Sequence, residues 1–257
     1  MAAPLNRFKA QLATGERSVG LWMGMTDPYL AEVVARAGFD WVLIDGEHAP
    51  NDLRSIVRQL QVVEPHVSPI VRLPMTEPWL IKMAVDAGVQ SLLAPMINTP
   101  EDARAVVRAM RYPPEGIRGV GFPLGRCSHF NGVENYGTTA NDQMCLIVQI
   151  ESQEAYDNIE AILAVDGVDA AFVGPADMAA DMGYHHDMND PFMLDKVADT
   201  LRRIKATGKP AGIIDVPDEA IQRHFDNGAQ FVAVGADLVI LAQTLRGLAV
   251  KWKGRIG

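Results

Sequence analysis

The sequence predicts an α/β fold: a single-domain (β/α)8 TIM barrel spanning residues 1–257. Three observations carry this reading. Eight short apolar, β-branched runs alternate with amphipathic stretches along the chain. Each run is apolar almost throughout, as parallel strands covered on both faces should be. A helix–glycine–strand joint also recurs, as Ala37-Gly38-Phe39-Asp40, Ala87-Gly88-Val89-Gln90, Asp166-Gly167-Val168-Asp169 and Asn227-Gly228-Ala229-Gln230. Glycine suits the left-handed residue that closes a helix. Eight β–α units in 257 residues favour a closed barrel. An open doubly wound sheet stays possible, because strand order is not written in the pattern.

The strands are predicted at 18–23, 41–44, 70–73, 91–95, 146–150, 170–173, 211–214 and 231–234. The helical patterns between and after them cover 29–37, 53–63, 79–87, 101–110, 154–163, 192–206, 218–227 and 239–252. Residues 112–144 break the alternation: they show no periodicity and hold six glycines. A connection of this length is functional, disordered or a contact surface. No linker or low-complexity segment divides the chain.

Composition narrows the function. Hydrophobic residues make up 48% and charged residues 21%, an ordinary globular balance. The net charge of −9 argues against nucleic-acid or membrane partners. The longest apolar stretch, 231–242, carries Asp237 and falls short of the roughly 20 residues a spanning helix needs. Residues 1–14 mix polar and apolar side chains without a targeting pattern. Cys127 and Cys145 cannot form a disulfide framework, and a cytoplasmic location is expected.

Barrel active sites lie where strands end and loops begin. The predicted strands deliver Asp45-Gly46-Glu47-His48, Arg72, Gln149-Ile150-Glu151, Gly174-Pro175-Ala176-Asp177, Asp215 and Gly235-Ala236-Asp237 to that end. Glu151 and Asp177 leave neighbouring strands, and two carboxylates suit Mg²⁺ or Mn²⁺ with water and substrate oxygens; helix capping or pairing with arginine is the alternative. Asp45 beside His48 would fix the imidazole tautomer for acid–base work, or mark a plain turn. Arg72, closing an apolar strand, needs an anion: a substrate carboxylate, or Asp45 or Glu47.

None of the seven lysines (Lys9, Lys82, Lys196, Lys205, Lys209, Lys251 and Lys253) lies at the C-terminal end of a predicted strand, so Schiff-base chemistry is not expected. His185-His186 are weak candidates for metal ligation, since adjacent side chains diverge. His66, His129 and His224 have no evident partner. Arg118 and Arg126 in the long connection meet an anionic substrate or solvent. Gly235-Ala236 before a helix would cradle phosphate, but Asp237 opposes it.

The segments Asp45-Gly46-Glu47-His48-Ala49-Pro50-Asn51, Arg111-Tyr112-Pro113-Pro114-Glu115-Gly116-Ile117-Arg118-Gly119, Gln149-Ile150-Glu151 and Val173-Gly174-Pro175-Ala176-Asp177 resemble the HpcH/HpaI aldolases, over nearly the whole chain. The resemblance implies a class II aldolase that reversibly cleaves a 4-hydroxy-2-oxo acid to pyruvate and an aldehyde through a metal-stabilised enolate. The 4-hydroxy-2-oxoheptanedioate and 2-dehydro-3-deoxyglucarate aldolases are of this kind. It implies Glu151 and Asp177 as ligands of a divalent metal (Mg²⁺, Mn²⁺ or Co²⁺), with no organic cofactor. Arg72 is implied as the catalytic arginine and His48–Asp45 as the acid–base pair. Arg72, Gln149, Gly174 and Ala176 are implied to bind substrate. It further implies a homo-oligomer, commonly a hexamer, with the last helix exchanged between subunits and Asp86 reaching a neighbour's site. Two alternatives stand beside it: an acyl-CoA lyase of the malyl-CoA or citryl-CoA kind, for which this chain is short, acidic and lysine-poor, and a non-catalytic keto-acid-binding barrel.

Overall fold

The computed structural model describes residues 2–184, 187 and 189–256. Its strands are β1 (Ser18–Met23), β2 (Trp41–Asp45), β3 (Ser68–Arg72), β4 (Ser91–Ala94), β5 (Cys145–Ile150), β6 (Val168–Val173), β7 (Ala211–Ile214) and β8 (Ala229–Ala236). Each pairs in parallel with the next, and β8 returns to β1. The sheet is therefore a closed barrel, and the open-sheet alternative falls away.

Among the described residues, α1 (Arg7–Leu12) precedes the barrel. The helices α2 (Pro28–Ala35), α3 (Leu53–Val63), α4 (Pro78–Asp86) and α5 (Pro100–Met110) follow the first four strands. A short α6 (Tyr136–Thr139) sits in the long connection before β5. The pairs α7 (Gln153–Asp157) with α8 (Ile159–Leu163), and α9 (Pro175–Asp181) with α10 (Pro191–Ala206), follow β5 and β6. Then α11 (Asp218–Asp226) follows β7, and α12 (Asp237–Ile256) ends the chain.

Local chemistry explains the starts and stops. Proline opens α2, α4, α5, α9 and α10, where its missing N–H costs nothing. The side chains of Asp27, Asp52, Thr99 and Ser152 cap α2, α3, α5 and α7. The four joint glycines take φ of 97°, 106°, 93° and 109°, the left-handed region that only glycine enters cheaply. The helix predicted at 154–163 breaks in two at Asn158, whose amide donates to the Asn98 carbonyl at 2.9 Å.

A period of two along the strands builds the barrel interior. Trp22, Trp41, Leu43, Ile70, Leu93, Ile147, Phe172, Phe231 and Ala233 form one buried cluster. Phe8 of α1, a helix the periodicity does not reveal, enters it from below, edge-on to Trp41 and Phe231 at 6.1 and 5.5 Å. Gly212 leaves the room this layer needs: a Cβ there would lie 2.3 Å from the Phe231 ring. The helices pack on the outer face of the strands through a second, larger cluster that includes Val42, Ile44, Val71, Val148 and Val173.

The aperiodic stretch 112–144 is ordered structure under the barrel floor. Tyr112, Phe122 and Tyr136 meet edge-on or tilted, with centroids 5.6–6.4 Å apart. Arg118 lies over Tyr112 at 4.3 Å and donates to Asp86 at 3.0 and 2.7 Å. Arg126 pairs with Glu64 and donates to the Ala87 carbonyl. Neither arginine faces this barrel's own mouth, so the expectation that they meet substrate there is replaced by ion pairs on the floor.

Candidate active site

The site is the top layer of the interior alternation. Continuing by twos from Leu43, Ile70, Ile147 and Phe172 brings Asp45, Arg72, Gln149 and Gly174 to the same inward face, just where the strands end. Glu151 follows Gln149 by the same step. These residues, except Glu151, line a cavity of about 670 Å³ at the mouth, together with Trp22, His48, Ala176 and Asp177. Of the residues predicted from the sequence, Asp45, His48, Arg72, Gln149, Gly174, Ala176 and Asp177 are thus brought to one space. Asp86 is not; it is held by Arg118 on the floor. His185 and His186 lie outside the described residues.

Arg72 is the hub. Its Nε and Nη2 donate to the two oxygens of Asp45 at 2.9 and 2.7 Å, and Nη1 lies 2.8 Å from Glu47. The guanidinium also rests over Trp22 at 4.8 Å, while the Trp22 indole N–H donates to Asp45 at 3.0 Å. Both carboxylate pairings open to Arg72 are therefore formed together. The fork suits a planar guanidinium, and both terminal nitrogens keep further N–H donors for a ligand.

Asp45 also accepts from the backbone N–H groups of Glu47 and His48, at 2.9 and 3.3 Å. Burial raises its pKa, but the bonds and charge of Arg72 outweigh burial and hold it below the ordinary carboxylate range. The His48 ring does not meet Asp45; its Nε2 stands 3.9 Å from Glu47. His48 is well exposed, so it reaches the cavity from the rim. Asp45 thus acts on the loop backbone and on Arg72 and not on the imidazole. Burial also raises the Glu47 pKa, and Arg72 offsets this only in part.

On the other side of the mouth, Glu151 is 2% exposed. Its Oε1 accepts from the Met96 N–H at 2.7 Å, and Gln149 donates to Oε2. Met96 holds that N–H in place through a left-handed backbone, φ 53°. Burial raises the Glu151 pKa to about 7, and the charges of Asp177 and Glu47 add to the rise against the Met96 bond. A Cβ on Gly174 would come 2.6 Å from the Glu151 carboxylate, so only glycine lets β6 pass this close.

A divalent cation fits these residues. A buried carboxylate bonded to neutral N–H groups and crowded by two further acids lacks the positive charge that burial demands. The Gln149 Oε1 beside it is buried and has no partner. Hard oxygen donors of this kind suit Mg²⁺ or Mn²⁺. No three His, Cys, Asp or Glu side chains among the described residues converge tightly enough to hold an ion alone. Glu151 and Asp177 would therefore share the ion with water and substrate.

Four further residues shape the site without a sequence signal strong enough to name them. Trp22 and Phe172, whose rings lie 5.5 Å apart, are members of the interior alternation and give the cavity an apolar wall. Met96 needed its backbone geometry. His224, which has no evident partner in the sequence, is bonded through Nε2 to Asp215 at 2.8 Å, and both line the cavity. The phosphate cradle considered at Gly235-Ala236 is closed: these residues belong to β8, and Asp237 accepts from the N–H groups of Gly24 and Met25. Lysines lie elsewhere: Lys9 and Lys209 donate to the Met144 and Val168 carbonyls, and Lys196 sits over Tyr156.

Fold and site define the class: a (β/α)8 barrel whose mouth pairs one buried arginine with an excess of carboxylates. The family model described as HpcH/HpaI aldolase/citrate lyase matches residues 18–244, and the chain belongs to that family. It is 54% identical to the hydroxypyruvate/pyruvate aldolase of Roseovarius nubinhibens, over 98% of this chain and 99% of that protein. It is 46% identical to a 4-hydroxy-2-oxo-heptane-1,7-dioate aldolase of Escherichia coli, over 96% and 95%. A solved structure of an HpcH/HpaI aldolase/citrate lyase family protein from Burkholderia cenocepacia J2315 superposes with a TM-score of 0.91 at 38% identity, covering 96% of this chain and 99% of that one.

Proposed function

We propose that this protein is a class II pyruvate aldolase, cleaving a 4-hydroxy-2-oxo acid to pyruvate and an aldehyde and running the reverse addition. The observation that carries the reading is the buried Glu151, held by neutral donors and close enough to Asp177 to feel its charge. Relatives named as hydroxypyruvate/pyruvate and heptanedioate aldolases support it.

Each residue then has a task. Arg72, locked by Asp45 and Glu47, presents its remaining donors to the oxygens of the oxo acid and stabilises charge that develops there. Gln149 and the backbone at Gly174 and Ala176 orient the pyruvyl carboxylate. His48 at the rim takes the proton from the C4 hydroxyl as the C3–C4 bond breaks, and returns it in the reverse direction. Trp22 and Phe172 exclude water from the reacting carbons. A divalent cation (Mg²⁺, Mn²⁺ or Co²⁺) on Glu151 and Asp177 would supply Lewis-acid stabilisation of the enolate.

The reading extends to assembly. In α12, Leu241, Leu245, Leu248 and Trp252 are each at least 42% exposed, apolar surface that a second copy of the chain would cover. The family resemblance adds to the proposal the exchange of this helix in a homohexamer, with Asp86 offered to a neighbour's site, and a cytoplasmic location. No described helix is long and apolar enough to cross a membrane. The test is release of pyruvate from 4-hydroxy-2-oxo acids by chelator-treated protein. Turnover that returns with Mg²⁺, Mn²⁺ or Co²⁺ supports the reading; turnover indifferent to chelation rules out the metal role.

A further inference from the structure

The cavity extends beyond the pyruvate-binding end. Its 670 Å³ lies within the range of pockets that take drug-sized ligands, roughly 300–1,000 Å³. The extension is walled by residues from the end of β7 and from α11: Ile214, Asp215, Val216, Ala220, Arg223 and His224. In the β6–β7 register Val173 stands opposite Ile213. Gly174 and Asp215 both lie just past their strand ends, and both line the same cavity. The β7 end is thus placed beside whatever is bonded to pyruvate.

This wall holds a built polar pair. His224, 5% exposed, brings Nε2 to 2.8 Å from Asp215 Oδ2. The Val216 N–H donates to Asp215 Oδ1, also at 2.8 Å. Both oxygens are thereby fixed in direction, yet the side chain stays one-third exposed toward the cavity. Burial raises the Asp215 pKa, but the bonds to His224 and Val216 and the charge of Arg223 hold it below the usual carboxylate range. An ionised carboxylate only accepts hydrogen bonds, so its ligand must be a donor. In the aldehyde half of a 4-hydroxy-2-oxo acid the donors are hydroxyl groups.

We propose that Asp215, oriented by His224, is a specificity-determining residue that accepts a hydrogen bond from a hydroxyl on the aldehyde half of the substrate. The inference rests on the aldolase reading above and adds to it the acceptor class, a hydroxylated aldehyde. His224 is a positioning residue, acting through Asp215. The pair is separate from the Asp45, His48 and Arg72 group and makes no bond with it in this structure.

The test compares glyceraldehyde with propanal, three-carbon aldehydes that differ in their hydroxyls, each condensed with pyruvate by the metal-loaded protein. The wild type is expected to prefer glyceraldehyde. Asp215→Ala should cut that preference, as a ratio of kcat/KM values, by roughly 10- to 100-fold, the weight of one hydrogen bond to a charged group. The loss should fall mainly on the KM for glyceraldehyde. His224→Gln should cut the ratio in the same direction by less. A merely structural role for the pair would slow both aldehydes alike and leave the ratio standing. An unchanged ratio in both variants, or a wild type without preference, overturns the proposal. Proton exchange of pyruvate into deuterated water separates the two failures. Exchange with an unchanged ratio overturns this subsite alone, whereas no exchange and no condensation overturns the aldolase reading with it.

Discussion

Two arginines are buried in this barrel, one at each end, and their surroundings differ in a telling way. Both lie on aromatic rings, Arg72 on Trp22 and Arg118 on Tyr112, at 4.8 and 4.3 Å. Both are gripped by an aspartate. Arg118 has Asp86 as its carboxylate partner, is closed in by Tyr112 and Tyr136, and has balanced charge. Arg72 bonds two acids, and two more, Asp177 in the cavity wall and the buried Glu151, stand at the same mouth. On the floor the charges of Arg118 and Asp86 balance within this chain, although Asp86 is 40% exposed and one buried nitrogen of Arg118, Nη1, has no partner. The mouth carries surplus negative charge, which a bound cation or protonation of a buried carboxyl such as Glu151 relieves. Burial of an arginine does not mark a site; unbalanced charge around it does.

The contrast can be broken first at its acidic side. Glu151→Ala is expected to abolish stoichiometric Mn²⁺ binding and aldolase turnover together, read by titration calorimetry and pyruvate release. Cation binding retained at full stoichiometry would remove Glu151 as a ligand. His48→Ala should keep the cation while turnover falls by roughly 10²–10⁴, the usual worth of a general acid–base group. Arg72→Lys should fold and still bind Mn²⁺. It should lose about 10²–10³ in kcat, because an ammonium cannot reproduce donors fixed by two carboxylates.

On the floor the expected loss is stability. Asp86→Ala strands the fully buried Arg118 charge and should cost about 3–5 kcal/mol in denaturant unfolding. Arg118→Met removes the charge and keeps much of the volume, leaving Asp86 partly in solvent, so it should cost less. The reverse order would show that the pair is not held together by the burial of Arg118.

The smallest effect is a pH dependence at the mouth. The folded-state pKa of Asp45 is held low by Arg72, against the rise from burial. Asp45 therefore contributes stability that is present above the ordinary carboxylate pKa and is lost as pH falls through its folded value. Between about pH 5 and pH 3 the wild type should lose unfolding free energy more steeply than Asp45→Asn does. Parallel curves would show that the Asp45–Arg72 pair does not stabilise the fold.

Much of this contrast is legible in the chain. Buried parallel strands write themselves as apolar runs, and the joint glycines mark where helices end. Asp45, Arg72, Gln149 and Asp177 could be gathered because strand ends are known to converge. Asp45 and Glu47 were both open as partners of Arg72, but how the side chains share one another was not legible. That Asp45 grips Arg72 and leaves the His48 ring to Glu47 depends on side-chain directions that spacing does not fix. The Asp215–His224 pair joins β7 to α11 across a turn whose geometry has no periodic signature. The 112–144 segment shows no pattern because its order comes from three aromatic rings meeting at long sequence range. At six residues, α1 is too short for periodicity and is held by Phe8 inside the barrel.

The central proposal is that the acidic side of the mouth would hold a divalent cation, which would supply Lewis-acid stabilisation to the enolate of pyruvate. Methyl deuteration of pyruvate in deuterated water, followed by NMR with chelator-stripped protein, tests it without choosing an aldehyde. Exchange that appears on adding Mn²⁺ or Mg²⁺ and is lost in Glu151→Ala is the predicted result. Exchange that is absent with every divalent cation, or that proceeds equally without one, would contradict it.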